Sequence, residues 1–126
     1  MKNGIQHYQK VQAQTASKEA LLMMLLDAAR NHIHHGKKMC AAEDWAKGAQ
    51  RLHKAVDIVL ELRATLKYAE APELVENLTH VYIFVESHLQ LAMLRRTTEH
   101  LDEVERVFSP IVDAFREAIQ QQEKAA

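Results

Sequence analysis

The chain has 126 residues, of which three are Gly, two are Pro and 6% are aromatic, a composition typical of an all-α protein. A chain of this length buries about two-thirds of its unfolded surface, so one domain with its own core is expected. Sixteen basic and 17 acidic residues, with no long block of one sign, exclude the electrostatic footprint of a nucleic-acid-binding protein.

A polar segment, residues 1–16, precedes the first predicted helix and carries the isolated apolar residues Ile5, Tyr8 and Val11. It runs directly into the apolar run ALLMMLL without a helix-period pattern of its own. We therefore expect a mobile N-terminal arm. The sequence alone favours a simple local role for its apolar residues, in which Tyr8 and Val11 pack on the end of the fold.

The first helix is predicted from Ser17, a candidate N-cap, to about residue 42, with Glu19 in its first turn. Its apolar residues recur at steps of four and three: Leu22, Leu26, Ala29, Ile33, Gly36 and Cys40. Because this stripe continues through Gly36, we expect a small residue at a close helix contact, with a helix break as the alternative. A second apolar face places the helix inside a bundle or under a partner: Leu21, Met24, Leu25 and Ala28.

Three further helices are predicted at about residues 45–68, 72–96 and 98–121. Asp44 can cap the second, Pro72 suits the first position of the third, and Thr97 or Thr98 can cap the fourth. We expect Pro110 to bend the fourth helix or to restart it with Ser109 as a cap. The apolar stripe of the second helix is Trp45, Ala49, Leu52, Val56, Val59 and Leu66, with Leu62 beside it. That of the third helix is Leu74, Leu78, Val81, Val85 and Leu89, flanked by Val75 and Tyr82. That of the fourth helix is Leu101, Val104, Phe108, Ile111, Phe115 and Ala118.

Short connections between long amphipathic helices make sequential neighbours antiparallel. The sequence therefore predicts an all-α fold, an antiparallel up-down four-helix bundle with a mobile N-terminal arm, as a single domain over residues 1–126. One cysteine, Cys40, excludes an internal disulfide and fits a reducing compartment. No segment has the pattern of a signal peptide or a membrane span, so a cytoplasmic protein is expected.

The eight histidines raise the question of a metal site. A di-iron bundle needs Glu-x-x-His pairs, and none is present. His32 and His35 have a spacing that could hold a metal, but no carboxylate is near them in the sequence, so a solvated cluster is favoured. Lone histidines such as His53, His80 and His88 are interpreted as helix-surface residues. We therefore expect no metal, no cofactor and no catalytic residue.

A histidine phosphotransfer module, or another small helical signalling bundle, is the alternative function. His53 followed by Lys54 offers an exposed imidazole, but no glycine follows where a partner would need close approach. Cys40 continues an apolar stripe, which favours a small buried side chain over a nucleophile. An interaction protein is thus favoured over an enzyme.

Several segments, in this order, resemble the flagellar secretion chaperone family FliS over nearly the whole chain. They are IQHYQKV, TASKEALLMMLLDAA, LHKAVDIVLELRATL, ENLTHVYIFV and LDEV. The chain departs from the family pattern at Leu26, Ala28 and Phe115, and at AEAPELVENL, which replaces a paired-glycine turn. These replacements are compatible with a core or a turn.

The resemblance implies a cytoplasmic export chaperone without catalytic activity. Such a protein would bind the disordered C-terminal segment of flagellin, prevent premature polymerisation and assist flagellar type III secretion, with other export or regulatory proteins as further candidate partners. By position, Ile5 and Tyr8 match apolar residues that the family uses for flagellin, and Asn77 and Leu78 match its NL pair. The expected flagellin-binding residues are Ile5, Tyr8, Val11, Leu62, Leu66, Asn77, Leu78 and Tyr82; core burial explains Leu62 and Leu66 nearly as well.

Overall fold

The computed structural model describes residues 18–66 and 72–125, which form helices and their connections without a strand. The helices are α1 (Lys18–Ala41), α2 (Trp45–Thr65), α3 (Pro72–Arg95) and α4 (Glu99–Ala125). Each packs against two others, in the cyclic order α1, α2, α3, α4. On α1 and α4, Asp27 pairs with Arg116 while Lys37 pairs with Asp102, so the two helices run antiparallel. The predicted all-α four-helix bundle is confirmed; the proposed arm lies outside the described residues.

The core is built from one apolar face of each helix, as amphipathic periodicity predicts. On α1 this face is the predicted stripe from Leu26 to Cys40, with Leu22 half-buried at its beginning. The other buried apolar residues are Leu52, Ala55, Val56, Val59, Leu62, Leu78, Tyr82, Val85, Leu89, Ala92, Leu101, Val104, Phe108 and Val112.

The backbones of α1 and α2 approach most closely at two buried glycines, Gly36 and Gly48. A Cβ atom at Gly36 would lie 2.8 Å from a methyl group of Leu52, and one at Gly48 would overlap Cys40 Sγ. The helix continues through Gly36, so the predicted close contact at this residue is confirmed and the alternative of a break is wrong.

One end of the bundle is closed by two tight connections, α1 to α2 and α3 to α4. Glu43 and Arg96 adopt positive φ angles of 64° and 51°, as residues just past a helix often do. Asp44 N donates to Met39 O at 2.9 Å, and Thr97 N donates to Ala92 O at 3.3 Å. These hydrogen bonds satisfy helix-end carbonyls.

Two predicted stripes differ from the observed core at some positions. In α3, Tyr82 is buried while Val81 is only half-buried, and in α4 Val112 is buried while Ala118 is exposed. In α3 only this position is shifted, because the later stripe residues Val85 and Leu89 are buried as predicted. In α4 the buried face steps by four residues from Phe108 to Val112 where a step of three was predicted, since the helical period is 3.6 and not 3.5. The other end of α4 keeps its predicted core residues, Leu101, Val104 and Phe108.

The predicted restart of the fourth helix at Ser109 is also wrong, because α4 continues through Pro110. Phe108 and Val112, on either side of the proline, are both fully buried in the core. Their packing holds the two halves in one helix even though the proline has no N–H for the carbonyl of Arg106. The exposed position of Pro110 directs its ring away from the core.

Candidate functional site: an apolar groove at the open end of the bundle

All four helices contribute to an apolar groove of about 460 Å³. It lies at the end of the bundle opposite the tight connections, where α1 and α3 begin and α2 ends. We call this end the open end of the bundle. Its lining residues are Lys18, Leu21, Leu22, Leu25, Leu62, Thr65, Leu66, Leu74, Leu78, Tyr82 and Phe115.

The groove has a buried floor and exposed walls. Leu62 and Tyr82 are 1% exposed and belong to the core as well as to the groove. On the walls, Leu21 is 56% and Leu74 is 47% exposed, and Met24, one turn along α1 from Leu21, is 64% exposed. Large apolar side chains this exposed and this close together typically mark an interaction surface.

Polar groups are few among the described lining residues. The hydroxyl of Thr65 donates to the carbonyl of Leu62 at 2.8 Å, so it is satisfied within α2. Burial raises the pKa of Tyr82 to about 12, which keeps its ring neutral at physiological pH. Lys18 contributes a cation at the edge. This surface suits the apolar face of a ligand that carries few charges.

The structure brings together four of the eight predicted binding residues. Leu62 and Leu66 come from α2, and Leu78 and Tyr82 come from α3. Asn77 is exposed and does not line the groove. The remaining three, Ile5, Tyr8 and Val11, lie outside the described residues.

Sequence reasoning did not assign five apolar lining residues to the site: Leu21, Leu22, Leu25, Leu74 and Phe115. Leu21 and Leu25 did carry a signal, because they belong to the second apolar face of the first helix. No sequence signal marked Leu74 as a binding residue, because its position in an apolar stripe predicts burial. In the structure Leu74 is nearly half exposed. Which stripe residues remain uncovered depends on where each helix begins relative to its neighbours.

The two histidines with metal-ligand spacing make different contacts. His32 Nδ1 lies 3.0 Å from Arg51 Nη1, and burial, followed by the charge of Arg51, lowers the pKa of His32. His35 is exposed on α1, and so is His53, the phosphotransfer candidate, on α2. His88 differs from the expected surface histidine because it is half-buried between α3 and α4, beside His100 and Glu103.

The sequence profile of the family described as Flagellar protein FliS matches residues 1–122. This chain belongs to the FliS family. It is 27% identical over 119 residues to the flagellar secretion chaperone FliS of Vibrio cholerae, covering 91% of this chain and 88% of that protein. It is 28% identical over 120 residues to the protein of the same name from Salmonella typhimurium, covering 91% and 89%. The corresponding values for the Escherichia coli protein are 26% over 121 residues, 92% and 89%.

The resemblance identified from the sequence is therefore confirmed over almost the entire chain. FliS proteins are flagellar secretion chaperones, which is a binding function and not a class of enzyme. An apolar groove with exposed leucines is the kind of surface that such a function requires. Among the described residues no helix has an apolar stretch long enough to cross a membrane.

Proposed function

We propose that this FliS-family chain is a cytoplasmic export chaperone for flagellin. It binds the disordered C-terminal segment of flagellin, keeps that segment from premature polymerisation and delivers it for flagellar type III secretion. It performs no catalysis. The observation that supports this proposal is the groove at the open end of the bundle, where Leu21 and Leu74 stand exposed on opposite helices.

The energetics of binding a disordered segment favour such a site. A chain that folds on binding loses conformational entropy, and it must bury apolar area to compensate. An amphipathic helix provides that area through side chains spaced three and four residues apart on one face. A groove of about 460 Å³ accommodates a few such side chains. The rest of the bound segment would then lie along the outer surface of the bundle.

We assign the floor and walls of the binding site to the predicted residues in the groove, Leu62, Leu66, Leu78 and Tyr82. Asn77 precedes Leu78 and is exposed, so its amide can hydrogen-bond to the backbone of a docked segment at the edge. The leucines of α1 and Leu74 complete the apolar surface.

The N-terminal arm belongs to the same proposal. Lys18 lines the groove, so the chain before it starts at the groove's edge. Tyr8 is ten residues earlier, and ten residues reach up to roughly 35 Å when extended. Ile5, Tyr8 and Val11 can therefore reach every part of the groove, where they cover apolar surface in the free protein and move aside or join the contact when flagellin binds.

The test uses a charge placed on the exposed wall of the groove. We expect Leu74→Asp to weaken binding of the flagellin C-terminal segment by about 30-fold or more, because a central apolar contact commonly contributes about 2 kcal/mol. Leu74 is half-exposed, so the bundle should remain folded. Isothermal titration calorimetry and copurification from cells that express both proteins measure the effect.

The matched control is Leu94→Asp. Leu94 lies on the same helix, is 80% exposed, and is 20 residues and so about 30 Å further along α3. The Leu94→Asp variant should bind flagellin as the parent does. Equal affinity of Leu74→Asp and the parent would exclude the groove as the binding site. Failure of the parent itself to bind any flagellin segment would exclude the proposed client.

A further inference from the structure

Three potential metal ligands meet between α3 and α4, near the closed end of the bundle. His88 comes from α3, and His100 and Glu103 come from the first turns of α4. One ligand atom of each lies within 4.8 Å of the others, and all three residues are half-buried. His88 is ten residues beyond Leu78, about 15 Å along α3, so the cluster is separate from the groove.

The ring of His88 is held in a fixed orientation. Its Nδ1 donates to the carbonyl oxygen of Phe84 at 2.9 Å, and its ring stacks on that of Phe84 with the centroids 3.8 Å apart. In the neutral imidazole this hydrogen bond leaves the lone pair on Nε2, which lies 3.3 Å from Glu103 Oε2. Metal-binding histidines are commonly fixed in this way, by a carbonyl that accepts from the other ring nitrogen.

His100 supplies a second ring nitrogen to the cluster. Its Nδ1 is buried and makes no hydrogen bond within the described part of the chain. Its ring packs edge-on against that of His88, with the centroids 5.6 Å apart. A buried nitrogen of this kind costs free energy unless water or an ion satisfies it. His100 and Glu103 are three residues apart, so both lie on the face of α4 that meets α3.

We infer that His88, His100 and Glu103 form a zinc site. Two nitrogens and one carboxylate oxygen are a ligand set that Zn²⁺ favours, with three protein ligands leaving a fourth position for water. Ligands at about 2.1 Å in tetrahedral geometry lie about 3.4 Å apart, close to the distance between His88 Nε2 and Glu103 Oε2. The three ligand atoms lie within 4.8 Å of one another, so movements of about 1 Å would bring them to that spacing.

Zinc at this position links α3 to α4 beside their tight connection. Because the folded bundle brings the three ligands together from two helices, the ion binds the folded state in preference to the unfolded chain. The proposal departs from the sequence-based expectation of no metal. The sequence patterns for metal sites compare ligands within one helix, such as Glu-x-x-His pairs. This cluster combines ligands from α3 and α4 and forms only when the two helices pack together.

The test starts with the full chain treated with a chelator and then titrated with Zn²⁺ in competition with a chromophoric chelator. We expect one ion per chain with a Kd below about 10 μM. Glu103→Gln keeps the shape of the side chain and removes its charge, and it should weaken binding at least tenfold. His100→Ala should do the same. Saturating Zn²⁺ should raise the melting temperature of the parent and leave that of Glu103→Gln nearly unchanged.

The control is His32→Ala/His35→Ala, which removes the other histidine pair with metal-ligand spacing and should bind Zn²⁺ as the parent does. Circular dichroism without metal shows whether each variant is folded. If His100→Ala is unfolded, the affinity of Glu103→Gln for Zn²⁺ is the test of the inference. Cobalt substitution should give the visible absorption of a four- or five-coordinate ion in the parent and in this control, and not in Glu103→Gln. Absence of stoichiometric binding, or parent-like affinity in Glu103→Gln, would overturn the inference and leave His88 and Glu103 as a contact between two side chains.

Discussion

Gly48 is the residue at which the smallest change should have a large effect. A Cβ atom there would overlap Cys40 Sγ and lie 3.1 Å from the carbonyl oxygen of Gly36. The backbone of α1 cannot yield without moving the helix, so Gly48→Ala should force α1 and α2 apart. Overpacking costs about 1–3 kcal/mol and here outweighs the gain in helix propensity of about 1 kcal/mol. Urea denaturation of the variant should show a net loss of stability.

Two comparisons isolate this steric cause. Gly36→Ala should be better tolerated, because the nearest atoms are the side chain of Leu52 at 2.8 and 3.0 Å and that side chain can adjust. In a double-mutant cycle, Cys40→Ala should offset part of the loss in Gly48→Ala by removing the sulfur. If Gly48→Ala is as stable as the parent, the helices are not as close as we describe.

Tyr82 gives a prediction about alkaline pH. A tyrosine in an unfolded chain titrates near pH 10, and burial raises the pKa of Tyr82 to about 12 in the fold. The native state thus keeps a proton that the unfolded state loses, so this contribution to stability is complete below pH 10 and disappears between pH 10 and 12. The difference in pKa between the two states therefore lowers the free energy of unfolding by about 1 kcal/mol between pH 9 and pH 11.

The variant Tyr82→Phe, which lacks the hydroxyl, is the control for this effect. The two proteins differ only in this hydroxyl, so every other effect of raising the pH from 9 to 11 is common to both. Denaturation in urea at the two pH values should show a loss about 1 kcal/mol larger in the parent. Equal losses would mean that the hydroxyl of Tyr82 is solvated in the folded protein.

Among the elements, α4 has a proline where a helix ordinarily excludes one. Pro110 is exposed and lies between the buried residues Phe108 and Val112. Pro110→Ala restores a hydrogen bond to the carbonyl of Arg106 and removes the steric conflict of the ring with it. We expect a gain of about 1–3 kcal/mol, reduced from the full cost of proline because alanine also makes the unfolded chain more flexible.

Calorimetry should show this gain as a higher melting temperature, and circular dichroism should show no loss of helix. Val107→Ala, another exposed substitution in the same helix, is the reference for a change without a backbone effect. An unchanged or lower melting temperature in Pro110→Ala would indicate that α4 packs on α1 only in its proline-containing form.

Helical periodicity predicted the four elements because each buries one continuous face. It placed Leu26, Ile33 and Cys40 in the core of α1, and all three are buried. It chose Val81 over its neighbour Tyr82, because steps of three and of four residues both fit a helix face and the buried face takes a step of four after Leu78. It expected Pro110 to bend α4 or to restart it at Ser109, and the restart is wrong because local rules do not include the packing of the residues on either side.

On the scale of the whole molecule, the two ends of the bundle are built differently. The closed end contains the tight connections at Glu43 and Arg96 and the glycine contacts of α1 with α2. At the open end all four helices contribute residues to the apolar groove. The family resemblance pointed to Leu62, Leu66 and Leu78, which line it. The second apolar face of α1 indicated Leu21, whereas the exposure of Leu74 could not be predicted, because it depends on the relative positions of the helix ends.

The proposed role of the N-terminal arm can be separated from the stability of the bundle. Ile5 and Tyr8 precede the first helix, and within the described residues the four helices build a continuous core from Leu26 to Val112. Ile5→Ala/Tyr8→Ala should therefore change the free energy of unfolding by less than about 1 kcal/mol. If the two residues contact flagellin, the same change should weaken binding by about 30-fold or more, since truncating a central anchor commonly costs about 2 kcal/mol.

Tyr8 should account for most of that loss, because its ring buries more area than Ile5 and its hydroxyl can pair at the edge of the groove. Calorimetric titration with flagellin and urea denaturation of the same samples distinguish a binding role from a structural one. An arm that only packs on the end of the bundle loses stability, and its affinity falls only as far as the protein unfolds. An arm that contacts the client loses affinity while the protein stays folded. Parent-like affinity in the double variant would leave Leu21, Leu74 and the rest of the groove as the whole binding surface.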